Sequence, residues 1–339
     1  MSITEALSAL INERRDLTQD EAALAMDDIF SGNAPPAVLA AFLTALRMKG
    51  ETVDEVAGMA SVMREHALHV EAQGPLLDTC GTGGDGRGSF NVSTASAFVA
   101  AGAGGKVAKH GNRAMTSGCG SADVLEALGA RIDLAPQQVA QCIDETGFGF
   151  MFAQAFHPSM KHAAPTRREL GIRTVFNILG PLTNPAGATH QLLGVADPAQ
   201  AHLMAGALER LGSVHVIVVH GHDGSDELTL SGANPVVEMN DGDVTEYNID
   251  PRELGLPMAM PNAIKGGTPE ENAATLTAVL SGEPGAVRHV VLLNSAAALV
   301  AGDLTQSLHD GLQMAADSID SGAAKDRLTR YIQLTKTFA

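Results

Sequence analysis

The sequence predicts an α/β protein: a small N-terminal all-helical domain over residues 1–72, then a larger α/β domain with a mostly parallel central sheet over residues 73–339. Three observations carry this. The first 70 residues hold two helix capping boxes and no strand signal. Gln73-Gly74-Pro75 then breaks the helical periodicity. Beyond it, short β-branched runs alternate with helical stretches, the pattern of a parallel sheet with crossover helices.

The elements follow in order. Thr18-Gln19-Asp20-Glu21 and Thr52-Val53-Asp54-Glu55 each match S/T-x-x-E ahead of an apolar-periodic stretch. Between them, Pro35-Pro36 opens a helix over residues 37–48, with Gly50 beyond its end. Val38, Leu39, Phe42, Leu43 and Leu46 share one face of it. Strands are expected at 76–79, 106–109, 148–152, 190–195 and 215–220, and helices at 93–103, 122–128, 136–145 and 198–211. Residues 287–300 read both ways: β-branching favours a strand, while length and Ala296-Ala297-Ala298 favour a helix.

Composition narrows the function. The chain has 339 residues, with 22 basic and 39 acidic groups and a formal charge of −17, so general nucleic-acid binding is disfavoured. Ten Phe, two Tyr and no Trp leave little for stacking bases. A 45% hydrophobic and 18% charged composition fits a globular protein rather than a disordered one. No uncharged apolar run reaches the length of a membrane span, and residues 1–16 hold no signal-peptide core. Cys80, Cys119 and Cys142 form no CxxC pair, which disfavours structural zinc and predicts a cytoplasmic protein.

The most informative segment runs from Asp78 to Thr94 and holds Gly81, Gly83, Gly84, Gly86 and Gly88 between a strand and a helix start. Glycines permit positive φ, and successive backbone N–H groups then form an anion-binding nest. The helix N-terminus adds further donors, as do Asn91, Ser93 and Thr94, any of which suits the N-cap. The pattern is neither a Walker P-loop nor GxGxxG. A glycine cluster alone reads equally well as a surface loop, but no acidic residue occurs between Asp85 and Asp123, whereas Arg87, Lys106, Lys109 and Arg113 do. In so acidic a chain, that asymmetry points to a multiply charged anion.

Lys109-His110-Gly111-Asn112-Arg113 forms a second polar strand end, and ligands of parallel sheets sit beyond such ends. Lys161, Arg167, Arg168 and Arg173 then face a single acid, Glu169. Arg167 and Arg168 point about 100° apart on a helix, so one at most enters a given pocket. A guanidinium there suits a carboxylate ligand. The segment from Asn177 to Pro185 reads as a helix end and tight turn. Asp226 and Glu227 follow a strong strand. They would repel a polyphosphate unless a cation such as Mg²⁺ stood between. His220 and His222 suggest zinc instead, but no third ligand has the spacing.

Together, Gly81-Thr-Gly-Gly-Asp85, Asn91-Val-Ser-Thr94, Lys109-His-Gly-Asn-Arg113, Arg167, Gly171-Ile-Arg-Thr174, Asn177-Ile-Leu-Gly-Pro-Leu-Thr-Asn-Pro185 and Asp226-Glu227 resemble the anthranilate phosphoribosyltransferase family, in order and over nearly the whole chain. The resemblance implies a nucleoside phosphorylase-like phosphoribosyltransferase fold, with residues from about 160 to 185 joining the helical domain, and a homodimer through the helical domains. It implies transfer of the phosphoribosyl group of 5-phosphoribosyl 1-pyrophosphate (PRPP) to anthranilate in tryptophan biosynthesis, with two Mg²⁺ per site.

By the same resemblance, Gly81, Gly84, Asp85 and Ser89 meet the pyrophosphate, and Asn91, Val92, Ser93 and Thr94 hold the phosphoribosyl part. Lys109, His110, Gly111, Asn112, Arg113, Ser117 and Ser121 close over PRPP. Arg167 grips the anthranilate carboxylate, with Gly81, His110, Asn112, His157, Gly180 and Pro181 around the ring. Ser93 touches one Mg²⁺, and Asp226 and Glu227 bind the other. No residue is assigned as a general acid or base. Two other readings are a pyrimidine nucleoside phosphorylase of the same fold and a non-catalytic anion-binding protein; Arg167 and the Asp226-Glu227 pair speak against the first.

Overall fold

A computed structural model describes residues 1–114 and 118–338. Four helices open the chain: α1 (Ile3–Ser8, continued by a π-helical turn at Ala9–Glu13), α2 (Gln19–Phe30), α3 (Pro36–Lys49) and α4 (Val53–Glu65). Both expected capping boxes form, at Thr18 with Glu21 and at Thr52 with Glu55. Glu55 does more than cap. Its wholly buried carboxylate also accepts the Leu17 N–H at 2.9 Å and Lys49 Nζ at 3.0 Å, joining α4 to the ends of two neighbours.

The rest of the chain runs β1 (Leu77–Gly81), α5 (Val92–Gly102), β2 (Val107–Gly111), α6 (Ser121–Ala127), α7 (Pro136–Thr146), β3 (Phe148–Phe152), α8 (Ala153–Phe156), α9 (Ala164–Leu170), α10 (Phe176–Leu179), β4 (His190–Gly194), α11 (Ala201–Arg210), β5 (His215–Val219), β6 (Asn234–Asn240), β7 (Asp243–Ile249), α12 (Pro269–Leu280), α13 (Ala286–Ala301), α14 (Leu308–Asp320) and α15 (Ala323–Thr337). The strands form one sheet in the order β3-β2-β1-β4-β5-β6-β7. The first five are parallel, and β6 and β7 are antiparallel. Strand order reverses between β1 and β4, and a crevice opens at such a switch point.

Alternate residues of the central strands feed two cores. Leu192, Ile217 and Val219 face the layer of α5, α13 and α15, where Phe98, Phe148 and Tyr331 stack. Leu193, Val216 and Val218 face the helical layer of α2, α4, α10 and α11. Each buried Leu, Ile or Val contributes about 1.5–3 kcal/mol, so the period of two fixes which face each layer covers.

The ambiguous 287–300 stretch is the helix α13. It is buried almost all round from Val290 to Leu299, so it shows no amphipathic period. The hairpin of β6 and β7 is an element the sequence reading lacked. Its turn, Asp241 (φ 48°) and Gly242 (φ 90°), is the Asp-Gly signature of a tight hairpin.

Candidate active site

The site begins with two glycines. Gly81 ends β1, Gly194 ends β4, and the two are paired in register. A Cβ on Gly81 would collide with the Asp226 carboxylate, and one on Gly194 with the Asp226 backbone carbonyl. The segment carrying Asp226 and Glu227 therefore crosses the carboxyl edge of the sheet where the ends of β1 and β4 are both bare.

That segment faces the glycine-rich loop. Gly83, Gly84, Gly86 and Gly88 all have positive φ, between 61° and 74°, so side chains there would be strained. The loop is closed from behind by a stretch the sequence reading did not single out. Phe90 N–H donates to the Ile264 carbonyl at 2.9 Å, Gly266 N–H to the Gly88 carbonyl at 2.9 Å, and Ser89 bridges to Lys265.

Asn91 takes the N-cap position of α5, but its side chain caps nothing. Its Nδ2 donates to the Cys119 carbonyl at 3.1 Å, and its Oδ1 accepts from Asn272 Nδ2 at 2.9 Å. The α5 N-terminus is met instead by Glu227, whose Oε1 accepts the Ser93 N–H at 3.2 Å. Asp226 Oδ2 likewise accepts the Gly83 N–H at 2.7 Å. The two carboxylates thus sit on donors that suit an anion.

Electrostatically this corner is crowded with like charge. Both residues keep some solvent exposure, yet their carboxyl groups are set deep. Burial, then the charge of Asp85, raises Asp226 to about 6. Burial, then the charge of Asp226, raises Glu227 to about 8. Asp85 Oδ2 is itself buried with no partner among the described residues. The one ammonium within the cluster is Lys109, only 2% exposed, which donates to the Thr79 carbonyl and, at 3.2 Å, to Ser93 Oγ. Burial pushes Lys109 down, against the pull of Asp78, Cys80 and Glu227.

This donor set fits Mg²⁺. It offers oxygens only, from Asp226, Glu227 and Ser93, and an excess of negative charge that a cation would relieve. Among the described residues, no three His, Cys, Asp or Glu side chains form a complete cage. Substrate and water oxygens would complete the shell, as Mg²⁺ usually demands.

The neighbouring pocket is different in character. His110, at the end of β2, and His157 face each other with ring centroids 5.0 Å apart. Burial drives His110 well below the usual imidazole range and His157 down to about 4, so both are neutral at pH 7. His157 leans toward the backbone of Met63 and Thr183, without an aligned hydrogen bond among the described residues. His110 Nε2 also lacks an aligned partner among the described residues. Arg167 is half-buried, with its guanidinium 4.8 Å from the centroid of the Phe176 ring and no ion-pair partner among the described residues. Burial lowers it from the ordinary arginine value. Arg168 is exposed, so of the adjacent pair it is Arg167 that turns inward. Gly180 and Pro181 form a short 3₁₀ turn beside His110, with open space at the Gly180 Cβ position.

Two groups missed by sequence reasoning hold this pocket together. Asp78 is fully buried; its carboxylate accepts the His110 N–H at 3.2 Å and Asn184 Nδ2 at 2.7 Å. Arg64 donates to the Leu182 carbonyl at 2.7 Å and the Leu211 carbonyl at 3.1 Å, the ends of two helical turns. A charged residue inside a buried strand was the available signal for Asp78.

Other expected residues fall differently. Val92 is wholly buried and its N–H serves the Phe90 carbonyl, so it is a wall and not a donor. Arg113 is paired with Asp123 at 3.1 Å and with Glu126. Those acids lie one and two turns along the next helix, which sequence spacing did not reveal. Gly111 lies against Ser121 Oγ, which donates to the Asn112 carbonyl at 3.4 Å. Thr94 Oγ1 is buried without a partner among the described residues. Ser117 lies outside the described residues.

Comparison with known proteins agrees with this arrangement. Residues 4–67 match the helical bundle domain of a glycosyl transferase family, and residues 73–325 match its a/b domain. An anthranilate phosphoribosyltransferase from Chloroflexus aurantiacus is 58% identical over 338 residues, 99% of each chain. The chain belongs to the anthranilate phosphoribosyltransferase family. The crystal structure of the family member from Thermus thermophilus superposes with a TM-score of 0.93 at 47% identity, covering 98% of this chain and 99% of that one. The Saccharomyces cerevisiae enzyme, solved in complex with PRPP and Mg, gives a TM-score of 0.90 at 29% identity, covering 99% and 98%.

Proposed function

We propose that the chain transfers the 5-phosphoribosyl group from PRPP to the amine of anthranilate, releasing pyrophosphate, as a step of tryptophan biosynthesis. One observation carries the reading: an anion-binding glycine loop faces two buried, mutually repelling carboxylates across the bare Gly81–Gly194 edge. That arrangement calls for a ligand bearing both phosphates and divalent cations.

The roles proposed for the site residues are these. Backbone N–H groups of Gly84 and Asp85 and the α5 N-terminus bind the pyrophosphate and stabilise the charge it gains on leaving. Asn91, Ser93, Thr94 and Lys109 surround the phosphoribosyl part, and Gly111, Asn112 and Ser121 frame its outer wall. Asp226, Glu227 and Ser93 hold two Mg²⁺ ions. When bound, Mg²⁺ supplies neutralising charge to the pyrophosphate. Arg167 holds the anthranilate carboxylate, and His110, His157, Gly180 and Pro181 enclose the ring. The aryl amine is already neutral at pH 7, so the buried, neutral histidines need not act as strong bases.

The decisive assay incubates the chain with PRPP, Mg²⁺ and anthranilate and follows anthranilate fluorescence. Its disappearance, with release of pyrophosphate, is expected. No consumption of anthranilate would overturn the reading.

The helical domain takes residues 1–72 together with about 160–185, and the α/β domain the remainder of 73–339. Ile11, Leu24 and Met48 are exposed on the helical layer, and Met48 is 84% exposed; this supports a homodimer formed there. The three free cysteines support a reducing, cytoplasmic setting. No helix among the described residues is long and apolar enough to cross a membrane.

A further inference from the structure

The glycine loop has a second side, and a cation lies on it. Arg173 is exposed and has no carboxylate partner among the described residues. Its NH1 donates to the Gly84 carbonyl at 3.3 Å, and its NH2 to the Gly83 carbonyl at 3.5 Å. The guanidinium lies where a Cβ on Gly84 would be, so the absence of that atom admits it. It also borders a small cavity shared with Arg47, Glu51 and Asn177.

The peptide geometry gives this contact a consequence. In a trans peptide, the carbonyl and the following N–H point in opposite directions. The Gly83 carbonyl belongs to the peptide whose N–H is that of Gly84, and the Gly84 carbonyl to the one whose N–H is that of Asp85. A guanidinium on both carbonyls fixes these two planes with their N–H groups turned away from it. It also polarises them, which strengthens the donors. Gly83 and Gly84 have φ of 65° and 74°, a conformation that glycine leaves freely, so an external brace has something to hold.

We propose that Arg173 is a positioning residue for PRPP: it braces the Gly83–Gly84 peptides from behind and presents the Gly84 and Asp85 N–H groups to the pyrophosphate. This rests on the phosphoribosyl-transfer reading above. It differs from the role of Arg167, six residues earlier, which lies beyond the Gly171 turn against Phe176.

The test compares R173Q, R173K and R168Q with the parent enzyme, because Arg168 is an exposed neighbour of the same charge. R173Q should raise the KM for PRPP about tenfold and weaken Mg-pyrophosphate binding, read by calorimetry, to the same degree. The KM for anthranilate should stay within about twofold. R173K should recover part of the loss, since a point charge cannot span both carbonyls. R168Q should match the parent. Unchanged PRPP KM and pyrophosphate affinity in R173Q would overturn the proposal. So would equal rises in both KM values, or the same effect from R168Q, which would indicate general unfolding or long-range charge. A parent enzyme that does not consume anthranilate would instead overturn the transfer reading.

Discussion

The two ends of the central sheet carry the same kinds of side chain and treat them oppositely. At the amino end, His190 and His215 open β4 and β5 and both reach Asp303, at 3.1 and 2.7 Å. His215 also reaches Glu238 at 2.8 Å. Each carboxylate there has a histidine partner. Glu238 is lowered by its hydrogen bond from His215; Asp303, despite burial, is lowered by those from His215 and His190. At the carboxyl end, Asp226 and Glu227 have mainly each other and Asp85, and both are raised. The first cluster is complete as it stands. The second is in electrostatic deficit, and a ligand makes up the difference.

The largest effect should come from breaking the geometry that creates this deficit. In Gly194→Ala the new Cβ meets the Asp226 backbone carbonyl, which cannot rotate away as a side chain would. Displacement of about 1 Å at the Asp226 and Glu227 carboxylates should lower kcat/KM roughly 100-fold. Steady-state kinetics across an Mg²⁺ titration would show it. Near-parental activity would mean that Asp226 need not sit where the structure places it.

Next comes the sign of stability. Asp226→Asn combined with Glu227→Gln removes two acids that crowd each other once ionised, so above about pH 8 the metal-free chain should melt several degrees higher in EDTA, on the scale of about 2–4 °C per kcal/mol. Mg²⁺-dependent turnover should be lost in the same variant. Glu238→Gln at the amino end should do the reverse: a lower melting temperature with catalysis intact. If both variants moved the melting temperature in the same direction, the contrast between the two ends would fail.

Arg167 sharpens the comparison, being a half-buried cation with no ion-pair partner among the described residues. Arg167→Ala should raise the anthranilate KM about 10–100-fold with kcat nearly unchanged, because a ground-state carboxylate contact is lost. A collapse of kcat at constant KM would place Arg167 elsewhere in the reaction.

The legibility of these features follows their range along the chain. Capping boxes, strand runs and the glycine loop are local, and Thr18, Thr52 and the Gly81–Gly88 stretch announced themselves. The Asp226-Glu227 pair was visible because a strong strand delivers it. Gly194 was not, since its role depends on a residue 32 positions later crossing above it. Arg113 was visible among donors in sequence, but its pairing with Asp123 and Glu126 was not, because it depends on how the next helix turns back. Arg173 was visible as a charge, but nothing local shows that it reaches Gly83 and Gly84, some 90 residues earlier. The β6–β7 hairpin had a local signal at Asp241-Gly242, which went unused among the stronger parallel-strand patterns.

The smallest expected effect is a pH dependence set at the amino end. His215 is 3% exposed. Burial opposes its charge, but hydrogen bonds to Glu238 and Asp303 outweigh that and hold its pKa above 6.5. A base with a raised folded pKa contributes stability in full below its unfolded value and loses it as pH rises through the folded value. The lowered acids act oppositely: Asp303 and Glu238 lose their contribution only as pH falls below the ordinary carboxylate range. The cluster should therefore be strongest between about pH 4.5 and 6.5 and weaken as pH rises above that range. Between pH 6 and 8.5, the parent should lose about 2 °C more in melting temperature than His215→Gln, a modest figure because Asp303 is half-exposed and screened. Parallel curves for the two proteins would show that His215 is already neutral in the fold, and that the amino end is held by hydrogen bonds without charge.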